Sequence, residues 1–335
     1  MKNKNNQMVT KFKEVLKFYY YLKPFGYNRL QHNSSLNLSV FASPRGGSTW
    51  LAESLKSLTD ATLVWEPLFG YKQYKINVFN PFAYPERSRS GMGWHQYIPE
   101  DTQWKEAEEF FDALFSKEII NLKLYRFNEL VKIPNSSTFI FKFCFGNNVL
   151  PWLVDRYDIK PTLLVRHPCS VIASQLNYGA WEWHKTNFKY NYNMKRHAEF
   201  YEPYREVLDS ISCVEERLAA EWAMTVLTPV KNKKNDEKWV TIAYEDLLLH
   251  PEKCLTKIKT RYQLNWDNKE LDKIIQKQSF TKSSFQETSS ESKLNSWQNH
   301  LTPKQIDTII NFTQRLGVDF YSTNLEPDYT KIYKS

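Results

Sequence analysis

Apolar positions along this chain change period from stretch to stretch, and each change marks an element. Leu38-Ser39-Val40-Phe41-Ala42 is a short apolar run of strand type, broken by Pro44 and the pair Gly46-Gly47. Beyond the glycines, Leu51, Ser54, Leu55 and Leu58 recur at helical spacing, so the pattern predicts strand, tight turn, helix. A second strand is expected over 61–68, ending near Glu66-Pro67. Trp104, Ala107, Phe110, Phe111, Leu114 and Phe115 predict a helix over 104–119, and Thr138 to Phe143 a third strand. A helix of about 149–157 leads to a fourth strand over 161–165, closed by Arg166-His167-Pro168 and followed by a helix through Val171, Ile172, Ser174 and Gln175. A long helix is expected at about 199–229, a fifth strand over 239–244, and helices near 251–262, 269–277 and 303–316. Residues 70–103, rich in Tyr, Pro, Gly and Ser, read as a long loop or lid; 177–196 is aromatic and basic without a clear period.

Strands that alternate with helices, and that are apolar nearly throughout, argue for an α/β fold. The expectation is a single domain with a central parallel sheet of about five strands, flanked by helices, with a P-loop-like phosphate-binding turn. We expect a basic, aromatic leader over 1–35, the domain over 36–320 and a tail over 321–335. Lys11, Lys13, Lys17 and Lys23 interrupt every apolar run of the leader, which leaves neither a signal-peptide core nor a membrane span. Its run Phe12, Val15, Leu16, Phe18, Tyr19, Leu22 is amphipathic, so it packs on the domain or makes peripheral contact with an anionic membrane.

The formal net charge of +8 points to an anionic ligand or surface. No nucleic-acid signature accompanies it, so no nucleic-acid partner is expected. Cys144, Cys169, Cys213 and Cys254 lack metal-ligand spacing and read as reduced thiols, as in a cytoplasmic protein that is soluble or peripherally membrane-associated.

Strand, glycine turn, then helix is a phosphate-binding arrangement, because the open N–H groups and the helix dipole converge on one point. The plain alternative is a strand-to-helix turn with Ser48 as N-cap. A Walker loop is excluded, since no lysine follows the second glycine. In a parallel sheet, ligands bind beyond the C-terminal strand ends. The Arg45–Thr49 turn, Glu66, Lys142, Arg166 and Tyr244 all fall there. Two other function classes fit such a set: a nucleotide- or phosphosugar-binding protein without turnover, and a P-loop-like kinase, which would need a Walker lysine and a Mg²⁺-binding acid.

In these motifs the chain resembles the sulfotransferases that use 3′-phosphoadenylyl sulfate. Pro44-Arg45-Gly46-Gly47-Ser48-Thr49-Trp50-Leu51 is similar to that family's 5′-phosphosulfate loop. Arg166 to Ser174 resembles its 3′-phosphate motif, and Tyr244-Glu245-Asp246-Leu247 with Pro251 a third piece. Ser283-Ser284-Phe285-Gln286-Glu287 looks like a fourth, and Lys293 to Trp297 with Leu301-Thr302-Pro303 like the closing segment. The likeness runs from about residue 38 to 316.

The resemblance implies sulfuryl transfer to an acceptor hydroxyl, with 3′-phosphoadenylyl sulfate as co-substrate and no metal. It assigns Arg45 and Lys142 to the phosphosulfate oxygens and Gly46, Gly47, Ser48 and Thr49 to the 5′-phosphate. Arg166 and Ser174 go to the 3′-phosphate, Trp50 and Tyr244 to the adenine, with Ser284 and Phe285 near it. Two departures bear on the chemistry. Cytosolic members carry Lys where Arg45 stands, and a His base two residues beyond the position of Lys142, where this chain has Cys144. Carbohydrate-type members use a Glu at the end of the second strand, which Glu66 matches, so the acceptor expected is a saccharide or glycolipid and the catalytic set is Glu66, Arg45 and Lys142. The Arg-Lys-Gly run of cytosolic members is missing too, and Lys293 is its substitute for the last 3′-phosphate contact. The acceptor pocket is expected from Trp65, Tyr71, Tyr74, Trp94, Tyr97, Trp181 and Trp183, with His95 and His184 as spare polar groups.

Overall fold

Period-2 alternation sorts the strand side chains onto two apolar faces. The computed structural model describes residues 35–68, 96–119, 124–130, 132–179, 185–192, 197–279 and 290–333. Five strands, β1 (Leu36–Ala42), β2 (Thr62–Trp65), β3 (Thr138–Phe143), β4 (Lys160–Val165) and β5 (Val240–Ala243), form one sheet in the order β2-β3-β1-β4-β5, with every pairing parallel. This is the α/β sheet that the pattern predicts.

Leu38, Val40 and Ala42 face one core, together with Leu63, Ile140, Leu164 and Ile242. Phe41, Val64, Phe139, Phe141, Phe143, Leu163 and Val165 face the other. The first face is covered by α1 (Ser48–Thr59), through Leu51, Ala52, Leu55 and Leu58. The second is covered by α2 (Lys105–Phe115), α3 (Pro168–Tyr178) and α4 (Val214–Lys231). After β5 come α5 (Tyr244–Leu249), α6 (Pro251–Arg261), α7 (Asn268–Ser279) and α8 (Pro303–Arg315). Cys254, Leu255 and Ile258 of α6 join the first core; Ile309, Ile310 and Phe312 of α8 join the second. No described helix is long and apolar enough to cross a membrane.

The long helix expected at 199–229 is divided. Ala198–Tyr204 is a 3₁₀ helix containing Pro203, Arg205–Asp209 is one short helical turn, and α4 begins only at Val214. Pro203 has no N–H to continue an α ladder. A new helix then starts from Cys213 as N-cap, and Ser212 just before it donates its N–H and hydroxyl to Glu216 at 2.7 and 2.8 Å. The helix expected at 149–157 contracts to Leu150–Leu153.

Both edges of the sheet are closed. On β2, Leu63 N–H donates to the Glu129 carboxylate at 3.1 Å and Trp65 N–H to the Leu124 carbonyl at 2.7 Å. On β5, Thr241 N–H donates to Asp236 at 3.4 Å and Ala243 N–H to the Tyr333 hydroxyl at 3.1 Å. Residues 321–333 thereby pack on the sheet, with Tyr321 and Ile332 buried. The leader, most of the expected lid, Tyr71, Tyr74, Trp94, His95, Trp181, Trp183, His184, Ser284 and Phe285 lie outside the described residues.

Candidate active site

The turn after β1 is held by its own backbone. Gly46 N–H donates to the Ser43 carbonyl at 2.8 Å, and Arg45 takes a left-handed φ of 72°. Gly47 also lies in that region, at φ 94°, and a Cβ there would stand 2.5 Å from the Tyr244 ring. As N-cap of α1 it supplies no side-chain acceptor; Trp50 N–H donates to its carbonyl at 3.0 Å, which leaves the Ser48 and Thr49 N–H groups to an outside partner.

To one side lies the end of β2. Trp65 pairs in register with Lys142 of β3, which sets Glu66 beside the end of that neighbouring strand. Glu66 has φ 41°, and its N–H donates to the Lys142 carbonyl at 2.9 Å. One carboxylate oxygen accepts from Lys142 Nζ, and the other from Cys144 N–H at 2.8 Å. Lys142 Nζ lies 3.3 Å from Cys144 Sγ and 4.9 Å from the centre of the Trp65 ring, whose other neighbour is the Arg126 guanidinium at 4.0 Å. Burial works against a charged Lys142, yet the Glu66 carboxylate bonded to it outweighs this and holds its pKa above the ordinary lysine value. Burial, reinforced by Glu66, pushes the Cys144 thiol up to about 12. It is therefore a neutral group at physiological pH and no nucleophile. Cys144 Sγ also meets Ser48 Oγ at 3.2 Å, which joins this cluster to the glycine turn.

To the other side lie β4 and α3. Arg166, at the end of β4, donates Nη1 to the Arg45 carbonyl at 3.2 Å, and its guanidinium stacks on Tyr244 at 4.3 Å. Its Nε is buried without a hydrogen-bond partner. Arg45 Nε donates to Ser174 Oγ at 2.9 Å, and its guanidinium lies 4.6 Å from the Tyr178 ring centre. Arg45 is thus turned toward Arg166 and Ser174, not toward Lys142. These groups line a cavity of about 310 Å³ together with Ser170, Ala173, Asn177, Ser296, Trp297 and His300.

Behind the recess, α5 anchors the Arg166 segment. Buried Glu245 accepts from His167 N–H at 2.9 Å and from the Tyr321 hydroxyl at 2.8 Å. The His167 ring accepts from Cys169 N–H at Nδ1 (3.2 Å), which makes Nε2 the donor to the Ser322 carbonyl (3.0 Å). It stacks on Trp297 with centroids 4.7 Å apart, and burial pushes its pKa down to about 4, so it is a neutral strut.

The structure gathers Arg45, Gly46, Gly47, Ser48, Glu66, Lys142, Arg166, Ser174 and Tyr244 at one sheet edge, in two groups. Thr49, the next residue of α1, is exposed; Trp50 and Tyr244 pack at the rim of the first core. Lys293 stands one turn before Ser296, which donates to its carbonyl, and is not a described lining residue of the cavity. Sequence reasoning missed Ser170 and Tyr178, although with Ser174 they form an i, i+4, i+8 row on α3 that helical spacing could have shown. No local signal pointed to His300. Among the described residues no cluster of His, Cys, Asp and Glu is fit to hold a metal ion.

The family described as "Sulfotransferase domain" matches residues 37–321. No curated protein matches the chain. Solved structures similar to it include the mouse sulfotransferase SULT7A1 complexed with PAP: 16% identity, 84% of this chain and 85% of that one covered, TM-score 0.42. The sulfotransferase domain of the Synechococcus PCC 7002 olefin synthase shares 17% identity over 86% and 96% of the two chains, with TM-score 0.40. Retinol dehydratase, complexed with androsterone and the inactive cofactor PAP, shares 13% over 88% and 85%, with TM-score 0.38.

Proposed function

The chain belongs to the sulfotransferase domain family, and we propose that it moves a sulfuryl group from 3′-phosphoadenylyl sulfate to a hydroxyl on a saccharide or glycolipid. The observation that carries the donor reading is the recess itself. Two arginines and Ser174 line it beside an uncapped helix N-terminus, and no Asp or Glu is among its described lining residues. Such a site takes a doubly phosphorylated anion without a metal.

Gly46, Gly47, Ser48 and Thr49 hold the 5′-phosphosulfate end, Arg166 and Ser174 the 3′-phosphate, and Trp50 and Tyr244 flank the adenine. The acceptor oxygen attacks sulfur in line. Its O–S bond forms as the bond from sulfur to the bridging phosphate oxygen breaks, and its proton passes to the Glu66 carboxylate. Lys142, held against Glu66, offsets charge on the transferring group. Arg45 offsets charge from the phosphate side and cannot give up a proton. The products are a sulfate ester and adenosine 3′,5′-bisphosphate. The acceptor class rests on the carboxylate base.

A panel of saccharide, glycolipid, phenol and amine acceptors with labelled donor tests this reading. Label is expected on a sugar hydroxyl, with one bisphosphate released per transfer. Transfer confined to phenols or amines would overturn the acceptor class. Equal binding of the bisphosphate and of ATP with Mg²⁺, without transfer, would overturn the donor.

A further inference from the structure

The donor reading leaves the far wall of the recess unassigned. Arg45, Arg166, Ser170, Ser174, Asn177 and Tyr178 come from the glycine turn, the end of β4 and α3; Ser296, Trp297 and His300 face them from the segment before α8. We propose that His300 is the ligand that completes the 3′-phosphate subsite from this wall, and that its protonation sets how tightly the donor is held across neutral pH. The inference rests on the donor reading above.

The wall is rigid where it matters. Residues Ser296–Asn299 form a 3₁₀ turn, and both His300 N–H and Leu301 N–H donate to the Trp297 carbonyl at 3.0 Å. Trp297 is buried and stacked on His167, which is fixed at both ring nitrogens and by the Glu245 bond to its backbone. The position of His300 is thus tied to the Arg166 segment through one indole and one neutral imidazole. Its own side chain is exposed, at the open side of the recess.

The chemistry of the recess is that of an unfinished anion site. Arg166 spends Nη1 on a carbonyl and keeps a buried Nε without a partner. A terminal phosphate has three strong acceptor oxygens, more than Arg166 and Ser174 alone can saturate. The charged or titratable groups that line the recess together with His300 are Arg45 from the turn, Arg166 from β4 and the Tyr178 phenol from α3. Lys293 precedes it on its own segment and Lys304 opens α8. Glu245 is turned away behind His167. Among the described lining residues of the recess there are two arginines and no carboxylate. Binding the dianion and taking up a proton are then one coupled event.

The sign of the pH dependence separates this proposal from the phosphate's own titration. A phosphate monoester loses its second proton near pH 6, so raising the pH by itself favours binding to arginines. Protonation of His300 works the other way. Calorimetric titration of adenosine 3′,5′-bisphosphate into the full chain, between pH 6.5 and 8.5, is expected to show affinity falling about tenfold. In two buffers of different ionisation heat, binding should take up a fraction of a proton. Adenosine 5′-phosphate should show neither effect. His300→Gln should flatten the profile at the weaker, high-pH affinity, and His300→Arg should flatten it at the tighter one. A His300→Gln protein with the wild-type pH profile and proton uptake would overturn the assignment while leaving the 3′-phosphate site standing. If the bisphosphate binds no more tightly than the 5′-phosphate even in the unaltered chain, the donor reading falls and the role of His300 falls with it.

Discussion

On the β2–β3 side of the glycine turn the charges cancel locally. Glu66, Lys142 and Cys144 form a closed triangle of one anion, one cation and one neutral thiol. On the β4–α3 side, Arg45 and Arg166 share a recess in which no carboxylate is a described lining residue. A second cavity, of about 480 Å³ at the N-terminal ends of β4 and β5, shows what each arrangement means. It is larger than the recess, but its lining holds Asp158 and Glu237 beside Lys160, Lys238 and Arg261, and Lys160 pairs with Asp158 at 2.7 Å. What sets the recess apart from the larger cavity is therefore a lining with cations and no described carboxylate, not its size. Under the proposed function the closed triangle moves a proton and the open recess holds an anion, so the two sides should fail in different ways.

The largest effect is expected from Glu66→Gln. Turnover with a true acceptor should fall by roughly 10²- to 10⁴-fold, while bisphosphate affinity, measured by calorimetry, stays within about twofold. A matching loss of donor affinity would erase the distinction between the sides.

Lys142→Met is next. Removing one partner of a buried pair costs about 3–5 kcal/mol, whereas removing both is close to neutral. Urea unfolding of Lys142→Met should show most of that loss, and the double variant Glu66→Gln/Lys142→Met should recover much of it. Additive losses would mean that the triangle is not a unit.

The arginine side has its own stability signature through His167. The folded-state pKa, about 4, lies below that of an exposed imidazole, so the unfolded chain binds the proton first. The stabilisation is whole above pH 6.5 and is lost as pH falls toward 4, on the order of 3 kcal/mol in all. Unfolding midpoints for the unaltered chain and His167→Gln, compared from pH 7 to pH 4, should converge as the pH drops.

Arg166→Ala is expected to be the mildest of the four. Loss of a charge-assisted contact is worth about 1.5–3 kcal/mol of bisphosphate binding, with little change for adenosine 5′-phosphate. Equal weakening of both ligands would take Arg166 out of the 3′-phosphate subsite and leave the comparison with one arginine fewer.

The sequence made the strand ends readable because period-2 alternation is a local property. The five parallel strands and the turn at Gly46-Gly47 follow from residues within a dozen positions of one another. Glu66 was readable as a carboxylate at a strand end, but its grip on Lys142 and on Cys144 N–H depends on the Trp65–Lys142 register, which links segments 77 residues apart. The orientation of Arg45 toward Ser174 was not readable either, since its flexible side chain is placed by α3 and Tyr178 rather than by its own loop. The division of the 199–229 helix was half visible: Pro203 was in plain sight, but the apolar period runs through it, and the bonds from Ser212 to Glu216 across the new start depend on side chains the period does not show.

The closure of both sheet edges has a consequence for assembly. An incoming strand needs a row of free backbone donors to dock on. At Leu63, Trp65, Thr241 and Ala243 those donors are already bound to Glu129, the Leu124 carbonyl, Asp236 and Tyr333. Copies of this chain cannot join their sheets edge to edge at these positions without first breaking bonds that the fold makes for itself. The Tyr333 bond also makes the C-terminal residues part of that protection. Trimming them would uncover the Ala243 donor on β5, while Thr241 would stay bound to Asp236.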